Sequence, residues 1–110
     1  MCGRFSLTTP SAALRDLFGF DELPNLPPRY NIAPTQDVLI VRDPAEGSGR
    51  QAAMVRWGLI PWWAPDAKIG NRLINARAES AIEKRSFKQA LLKRRCLVVA
   101  DGWYEWQAAG

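Results

Sequence analysis

The chain has 110 residues, of which 47% are hydrophobic and 24% charged, with a formal net charge of +4. These values are typical of one domain of a soluble globular protein. Because no apolar run follows a basic start, we predict no secretory signal and no membrane span, and expect a cytoplasmic protein. The chain has no histidine, which excludes Ser-His-Asp or Cys-His catalysis within these residues and removes the commonest nitrogen ligand for zinc or iron. We expect no metal and no cofactor.

The N-terminal segment carries the most informative residue, Cys2, directly behind Met1. Residues 2–7 alternate apolar and polar side chains, which predicts a half-buried strand. Removal of Met1 would leave an N-terminal 1,2-aminothiol, whose amine and thiol have ordinary pKa values of roughly 8 and 8.5. Such a group traps aldehydes, because the amine forms an imine and the thiol closes a thiazolidine ring. The alternative is that Cys2 is a small buried hydrophobe. We expect both Cys2 and Cys96 to be free thiols.

The pattern further along the chain predicts short strands and helices separated by irregular segments. Thr9 resembles a helix N-cap, Leu14 and Leu17 begin an apolar stripe, and Gly19 is typical of a helix end. Residues 21–36 contain four prolines and predict a long loop. Beyond this loop we predict a strand pair at 38–41 and 54–59, a basic amphipathic helix at about 86–94, and a buried strand at 97–100.

Basic side chains are concentrated between residues 68 and 95. This segment holds nine basic residues against two acidic ones, a local net charge of +7, whereas the rest of the chain has a net charge of −3. In a chain of pI about 9.5, such a segment indicates a polyanionic partner, most often nucleic acid. A solvated basic helix is an equally good interpretation of the charge alone.

Two segments place polar groups where a fold alone does not require them. If residues 73–79 form a strand, Asn75, Arg77 and Glu79 lie on one face, as a phosphate-binding site needs. The alternative is a solvent-facing strand edge. In residues 100–106, Glu105 stands between large aromatic residues that would desolvate its carboxyl group and suit it to proton transfer. A strand glutamate that points to solvent is the alternative.

Trp62 and Trp63 lie between Pro61 and Pro65 in a proline-framed aromatic loop. Tryptophans in a stiff loop stack on unpaired bases or insert into a base step, and single-stranded binding sites combine them with basic grooves. Core or rim packing is the commoner role of tryptophan in small domains.

Five motifs together resemble the SOS response-associated peptidase (SRAP) family in order and spacing. They are Met-Cys-Gly-Arg-Phe at the start, Arg-Tyr-Asn-Ile-Ala-Pro-Thr from position 29, Trp-Gly-Leu-Ile-Pro from 57, Ile-Asn-Ala-Arg-Ala-Glu from 74 and Ala-Asp-Gly-Trp-Tyr-Glu-Trp from 100. The resemblance implies an α+β fold with a mostly antiparallel, barrel-like sheet and short flanking helices. It also implies a protein of the DNA-damage response that forms covalent adducts with abasic sites in single-stranded DNA, which would place it at the nucleoid.

The resemblance also implies a role for each candidate residue. Cys2 would be the nucleophile, Asn75 would orient it, and Glu105 would transfer protons. The implied DNA contacts are Arg4, Trp62, Trp63, Arg77 and, in the basic segment, Arg85. Such an adduct protects the strand, because ring closure withdraws the imine that would lead to β-elimination. The family is also regarded as a thiol-dependent autopeptidase that removes its own Met1, a step that a general methionine aminopeptidase would perform equally well.

The resemblance covers the N-terminal part of one domain, because family members continue beyond this length and a later histidine joins their active site. We therefore expect residues 1–110 to be the N-terminal half of an SRAP-like domain. Two other functions compete with the crosslinking hypothesis. One is a non-covalent, single-stranded nucleic-acid-binding module with a structural Cys2, which predicts salt-sensitive binding. The other is a protease acting on other proteins, against which the absence of histidine argues.

Overall fold

Two antiparallel sheets and two short helices make up the described fold, which confirms the α+β class. The computed structural model describes residues 2–22, 24–44, 47 and 49–108, so Met1 lies outside the described residues. The strands are β1 (Phe5–Leu7), β2 (Arg29–Ile32), β3 (Asp37–Arg42), β4 (Gln51–Arg56), β5 (Leu97–Val98) and β6 (Gly102–Trp103). The helices are α1 (Ser11–Phe18) and α2 (Arg85–Lys93), with short 3-10 helices at Ala67–Asn71 and Ala81–Glu83. No described helix is long and apolar enough to cross a membrane.

The strands form two antiparallel sheets of three strands each. Their orders are β2-β1-β6 and β4-β3-β5, so β1 and β3 occupy the two centres while β5 and β6 stand at edges. The mostly antiparallel arrangement is as predicted. Over the described residues the two sheets do not close on each other, and the barrel-like sheet therefore stays a prediction.

The hydrophobic core is built around β3. Four consecutive residues of this strand, from Val38 to Val41, are each at most 4% exposed. A continuous apolar run is typical of a strand that is covered on both faces. Phe5, Leu7 and Ile32 bring the other sheet into the same core. The predicted pairing is thus confirmed, but its second strand is Gln51–Arg56 rather than 54–59, and its first is Asp37–Arg42.

Helix α1 ends as predicted but begins differently. Gly19 adopts the left-handed conformation (φ 73°) and donates its backbone N–H to the Arg15 carbonyl at 2.8 Å. The N-cap residue is Pro10 rather than Thr9, whose hydroxyl instead donates to Asp101 at 2.6 Å. Leu14 is buried, whereas Leu17 is 74% exposed. The predicted apolar stripe is therefore narrower than the sequence pattern indicates.

The prediction of a buried strand at 97–100 is wrong for most of its length. Strand β5 comprises two residues, Leu97 and Val98, which are 56% and 55% exposed, and only Val99 of the segment is buried. The reason is topological, because β5 pairs with β3 and stands at the edge of its sheet. A run of apolar residues does not by itself predict burial, because a strand at the edge of a sheet can stay exposed.

A close backbone crossing fixes the loop after β4. Gly58 has φ +127°, and a Cβ atom there would collide with the carbonyl oxygen of Gly70. Beyond the crossing, Leu59 donates its N–H to the Leu73 carbonyl at 2.9 Å. The crossing holds residues 57–59 against residues 69–73, and Asn75 lies two residues after this anchored segment.

Candidate functional site

The N-terminal residues lead into β1 without regular structure of their own. The predicted strand at 2–7 begins at Phe5, and Cys2 is half-buried ahead of it. The Cys2 thiol donates to the Arg4 carbonyl, with a sulfur-to-oxygen distance of 3.5 Å. The same carbonyl accepts the backbone N–H of Tyr104 at 2.9 Å. One backbone oxygen therefore links the Cys2 thiol to the residue that precedes Glu105.

Asn75 contacts Cys2 directly. Its side-chain Nδ2 donates to the Cys2 carbonyl at 2.6 Å, and both residues are half-buried. The neighbouring Ile74 carbonyl accepts the indole N–H of Trp57 at 2.8 Å, and the Trp57 ring lies 5.3 Å from the Phe5 ring. Trp57 thus connects β1 to the Asn75 segment. The structure brings together two predicted site residues that are 73 positions apart.

The segment that carries Asn75 is not a strand, so the predicted common face for Asn75, Arg77 and Glu79 is wrong. Residues 75–77 have no regular structure and 78–80 form a turn. The Arg77 carbonyl accepts N–H groups from Ser80 and Ala81 at 3.2 and 2.9 Å, which turns the chain into the next 3-10 helix. Arg77 is exposed. Its guanidinium is therefore accessible to a phosphate, as the predicted role requires.

Arg4 and Glu105 line a common cavity of about 690 Å³. The Arg4 Nη1 donates to Asn31 Oδ1 at 3.1 Å, which holds the guanidinium over β2. Across the cavity, the Tyr104 hydroxyl donates to the Tyr30 carbonyl at 2.6 Å. The cavity is lined by residues of three segments: Gly3, Arg4, Tyr30, Asn31, Tyr104, Glu105 and Trp106. A cation, a carboxylate and aromatic rings therefore line the same cavity.

Glu105 is exposed, contrary to the predicted desolvated environment. It follows β6 rather than lying within a strand, and its neighbours Tyr104 and Trp106 are 50% and 96% exposed. Aromatic neighbours in sequence do not enclose a carboxyl group when their rings also face solvent. Its place on the same cavity as Arg4 is thus the structural feature that supports a role for Glu105.

The two loop tryptophans differ in environment. Trp62 is 76% exposed, whereas Trp63 is half-buried and the Arg85 guanidinium lies 4.3 Å from its ring centroid. This distance is typical of a cation–π contact. Arg85 begins α2, so the contact ties the loop to the basic helix. Trp62 offers an open face for stacking, while one face of Trp63 is already occupied.

The basic segment is fully accessible. All nine of its Lys and Arg side chains are exposed: Lys68, Arg72, Arg77, Lys84, Arg85, Lys88, Lys93, Arg94 and Arg95. Helix α2 carries three of them and was predicted to within one residue at each end. This exposure suits both a polyanion-binding surface and a solvated helix.

Asp101 is a structurally important residue that the sequence analysis did not single out. Its Oδ2 accepts the N–H and the hydroxyl of Thr8 at 2.5 and 2.7 Å, and its Oδ1 accepts the Thr9 hydroxyl. These hydrogen bonds hold the pKa of the Asp101 carboxyl below its usual value. Its backbone N–H donates to the Ser6 carbonyl at 2.8 Å. No local signal in the sequence identifies this role, because the partners lie 92 and 93 positions away.

A second cavity, of about 520 Å³, lies beside Cys2 and is mostly apolar. Both cysteines line it and both are free thiols. Burial raises the pKa of the Cys96 thiol, with Arg42 opposing that rise. Over residues 2–22, 24–44, 47 and 49–108, no cluster of three or more His, Cys, Asp or Glu side chains could hold a metal ion.

Comparison with known proteins finds one family and several relatives that share a name. The sequence model of the SOS response associated peptidase (SRAP) family matches residues 1–110. The chain is 44% identical to abasic site processing protein YoqW and 43% identical to YoaM of Bacillus subtilis, covering 97% of this chain and 48% of each relative. It is 38% identical to abasic site processing protein HMCES of Rattus norvegicus, with 97% of this chain and 36% of that protein covered.

A solved structure has the same fold. A protein from Bacteroides thetaiotaomicron superposes with a TM-score of 0.81 at 23% identity, covering 99% of this chain and 50% of that one. At this identity the likeness shows the fold alone. The chain therefore spans about half the length of the Bacillus subtilis relatives and about half of the solved structure.

Proposed function

Because the chain belongs to the SOS response-associated peptidase family, we propose that it recognises abasic sites in single-stranded DNA and links to them covalently through Cys2. Relatives 35–44% identical to it carry the name abasic site processing protein. The observation that carries the proposal is the 2.6 Å hydrogen bond from Asn75 to the Cys2 carbonyl. It anchors the backbone of the nucleophile, whose side chain lines the apolar cavity of about 520 Å³.

The proposed reaction needs no cofactor. After Met1 is removed, the Cys2 amine attacks the ring-opened aldehyde of the abasic sugar and forms an imine with loss of water. The Cys2 thiol then adds to the imine carbon, a carbon–sulfur bond forms, and the thiol proton moves to the nitrogen. Ring closure removes the imine that would otherwise lead to strand cleavage by β-elimination. Any lyase activity then comes from the imine stage.

Glu105 and Arg4 have complementary roles in this proposal. Glu105 carries protons during imine formation and ring closure, since it follows Tyr104, whose N–H donates to the same Arg4 carbonyl as the Cys2 thiol. Arg4, held by Asn31, binds a phosphate beside the lesion. Exposed Arg77 binds a second phosphate. These contacts fall on sugar and phosphate, as recognition of a site without a base requires.

The loop and the basic helix provide the remaining DNA contacts. Trp62, with its open face, stacks on a base that flanks the lesion. Trp63 and Arg85 form a stacked pair that supports the loop and presents a guanidinium to the backbone. DNA as the partner places the protein at the nucleoid. We further propose that residues 1–110 form the N-terminal part of one SRAP-like domain.

Removal of Met1 precedes the crosslink. In the proposed autopeptidase step, Cys2 and Glu105 release Met1 from the chain's own N-terminus. Because Cys2 is small, a general methionine aminopeptidase is the alternative route. Expression in a strain whose methionine aminopeptidase is inhibited, followed by intact mass analysis, separates the two. Loss of Met1 in the wild type but not in Glu105→Gln supports the autopeptidase.

A second candidate function is supported by the nine exposed basic side chains and by Trp62. These residues suit non-covalent binding of single-stranded DNA, with Cys2 as a structural residue. Such binding weakens steeply with salt and does not respond to an abasic aldehyde. The two functions therefore differ in whether the complex survives denaturation.

A denaturing gel tests the proposal. The Met1-processed protein is incubated with single-stranded DNA carrying one abasic site, beside intact DNA of the same sequence. Cys2→Ala removes the proposed nucleophile, and Cys96→Ala is the matched control because Cys96 lines the same cavity. We expect a shifted band that requires the lesion and Cys2 and survives in Cys96→Ala. A band that persists in Cys2→Ala contradicts the proposal.

A further inference from the structure

Trp57 contacts both segments that meet at Cys2. Its indole N–H donates to the Ile74 carbonyl at 2.8 Å, and Ile74 directly precedes Asn75. Its ring lies against Phe5, with 5.3 Å between the ring centroids and an angle of 54° between the planes. Phe5 follows Cys2 closely in the chain. Trp57 therefore touches the segment that carries the nucleophile and the segment that carries its hydrogen-bond donor.

These contacts form a closed cycle. Residues 2–5 make one side of the cycle, residues 74–75 make another, and the indole of Trp57 joins the two. The hydrogen bond from Asn75 to the Cys2 carbonyl closes the cycle at 2.6 Å. Because both sides are short stretches of backbone, a shift of Trp57 moves at least one partner of that hydrogen bond. The position of Cys2 relative to Asn75 thus depends on Trp57.

The backbone of Trp57 is itself held on both sides. Its N–H donates to the Gln36 carbonyl and its carbonyl accepts the Thr35 N–H, each at 2.9 Å. Thr35 has φ 75°, a left-handed conformation that a β-branched residue adopts only when its surroundings hold it there. On the other side, Gly58 approaches the Gly70 carbonyl too closely to carry a Cβ atom. A strained turn and a close crossing therefore fix the residue that joins the two segments.

The indole N–H of Trp57 does more than core packing requires. Trp57 is half-buried and packs against the hydrophobic core, a role that a phenylalanine ring also fulfils. Buried indole groups usually find a hydrogen-bond partner, yet Trp63 Nε1 is buried without one among the described residues. A hydrogen bond directed at the residue before Asn75 is thus a specific feature of Trp57.

We propose that Trp57 is a positioning residue for Cys2 that acts through Asn75. The indole N–H holds the Ile74 carbonyl and thereby the segment whose next side chain, the Asn75 amide, holds the Cys2 carbonyl. The amine and the thiol-bearing carbon of Cys2 are attached to the Cα atom next to that carbonyl. Its orientation therefore sets how both groups approach the aldehyde. This role rests on the proposed crosslinking function.

Trp57→Phe keeps an aromatic ring at this position and removes the N–H donor. We expect the single-turnover rate of crosslinking to abasic single-stranded DNA to fall by roughly fivefold, the rate equivalent of one ordinary hydrogen bond. The DNA concentration that gives the half-maximal rate should stay unchanged, because Trp57 has no contact with DNA in this proposal. Trp103→Phe makes the same substitution at a 67% exposed tryptophan of β6 and should keep the wild-type rate. An unchanged rate in Trp57→Phe overturns the proposal.

A double-mutant cycle shows whether Trp57 acts through Asn75. In the Asn75→Ala background the amide that Trp57 positions is absent, so Trp57→Phe should have no further effect on the rate. A further loss of similar size would show that Trp57 acts independently and contradicts the proposal.

Leu14→Ala separates positioning from stability. It removes a buried side chain from α1, and should lower the stability while leaving the rate unchanged at a temperature where circular dichroism shows each variant to be folded. Equal slowing by Leu14→Ala and Trp57→Phe would make Trp57 a packing residue and overturn the proposal.

NMR without DNA distinguishes this proposal from the crosslinking function. In the isotope-labelled wild type, the indole N–H of Trp57 should exchange with solvent more slowly than that of Trp62, which is 76% exposed. In Trp57→Phe, the side-chain amide signals of Asn75 should shift toward those of a free amide. A wild-type protein that forms no crosslink contradicts the proposed function, whereas fast exchange at Trp57 or an unshifted Asn75 amide contradicts the role of Trp57.

Discussion

The side-chain amide of Asn75 donates to the backbone carbonyl of Cys2 at 2.6 Å. This contact joins the residue after Met1 to a loop that is held by the Gly58–Gly70 crossing. The Cys2 thiol points to a different acceptor, the carbonyl of Arg4. The backbone and the thiol of Cys2 are therefore positioned by separate partners, and a covalent function of Cys2 should depend on both.

Substitution of Asn75 by Ala should slow crosslinking without removing the nucleophile. Loss of one positioning hydrogen bond should lower the single-turnover rate by roughly tenfold or more. Asn71→Ala is the control, because Asn71 lies in the nearby 3-10 helix and accepts a hydrogen bond from Arg56 of β4. Rates equal in the two variants would show that the Asn75 contact does not orient the nucleophile.

Asp101→Asn should destabilise the fold and change its acid sensitivity. The thermal midpoint should fall by several degrees, because the Asn amide keeps a single acceptor oxygen for the hydrogen bonds that Thr8 and Thr9 donate to the two carboxylate oxygens. The pKa of Asp101 is lowered in the folded state, so its contribution is fully present above the ordinary pKa of about 3.9 and disappears as pH falls through the lowered value.

Urea unfolding at pH 7 and below pH 4 measures this difference between wild type and Asp101→Asn. We expect the gap in unfolding free energy to narrow at the lower pH. Asp16→Asn on α1, with a longer contact of 3.7 Å to Arg15, provides the comparison. A gap that is independent of pH would argue against the carboxylate as the source of stability.

Gly58→Ala should be strongly destabilising, by about 2 to 4 kcal/mol. The residue has φ +127°, and a Cβ atom would meet the Gly70 carbonyl. Gly102→Ala makes a matched comparison, because a Cβ atom there meets nothing within 4 Å. Denaturant unfolding of both variants provides the measurement, and similar stabilities would contradict the role of the crossing.

The two loop tryptophans should separate binding from stability. Trp62→Ala should weaken binding to single-stranded DNA by about tenfold, a value expected for one lost stacking contact, and leave the thermal midpoint unchanged. Trp63→Ala should lower the midpoint, because it loses its packing and its contact with Arg85. Fluorescence anisotropy and thermal unfolding distinguish the two. The reverse pattern would assign the stacking role to Trp63.

Local patterns predicted the elements that are stabilised locally. The apolar run at 38–41 identified β3, and the spacing of Phe87 with Leu91 identified α2 to within one residue. Gly19 marked the end of α1, since a residue without a Cβ atom readily adopts the left-handed conformation. Each of these signals lies within a few residues of the structure that it predicts.

Long-range contacts were not accessible in the same way. The Asp101 hydrogen bonds span 92 and 93 positions, and nothing near Asp101 announces Thr8 and Thr9 as partners. The exposure of β5 depends on its place at the edge of a sheet, which alternation cannot reveal. Asn75 was proposed as a site residue through family resemblance, and the structure shows it hydrogen-bonded to Cys2 from a loop rather than from a strand.

The most direct test of the account is to locate the covalent bond to DNA. The protein is incubated with abasic single-stranded DNA, the DNA is digested with nuclease, and the protein is cleaved and examined by mass spectrometry. We predict that the sugar remnant lies on the N-terminal peptide that begins with Cys2, with loss of one water and without borohydride treatment. A remnant found on a basic-segment residue such as Lys88, and retained only after borohydride reduction, would contradict the Cys2 thiazolidine.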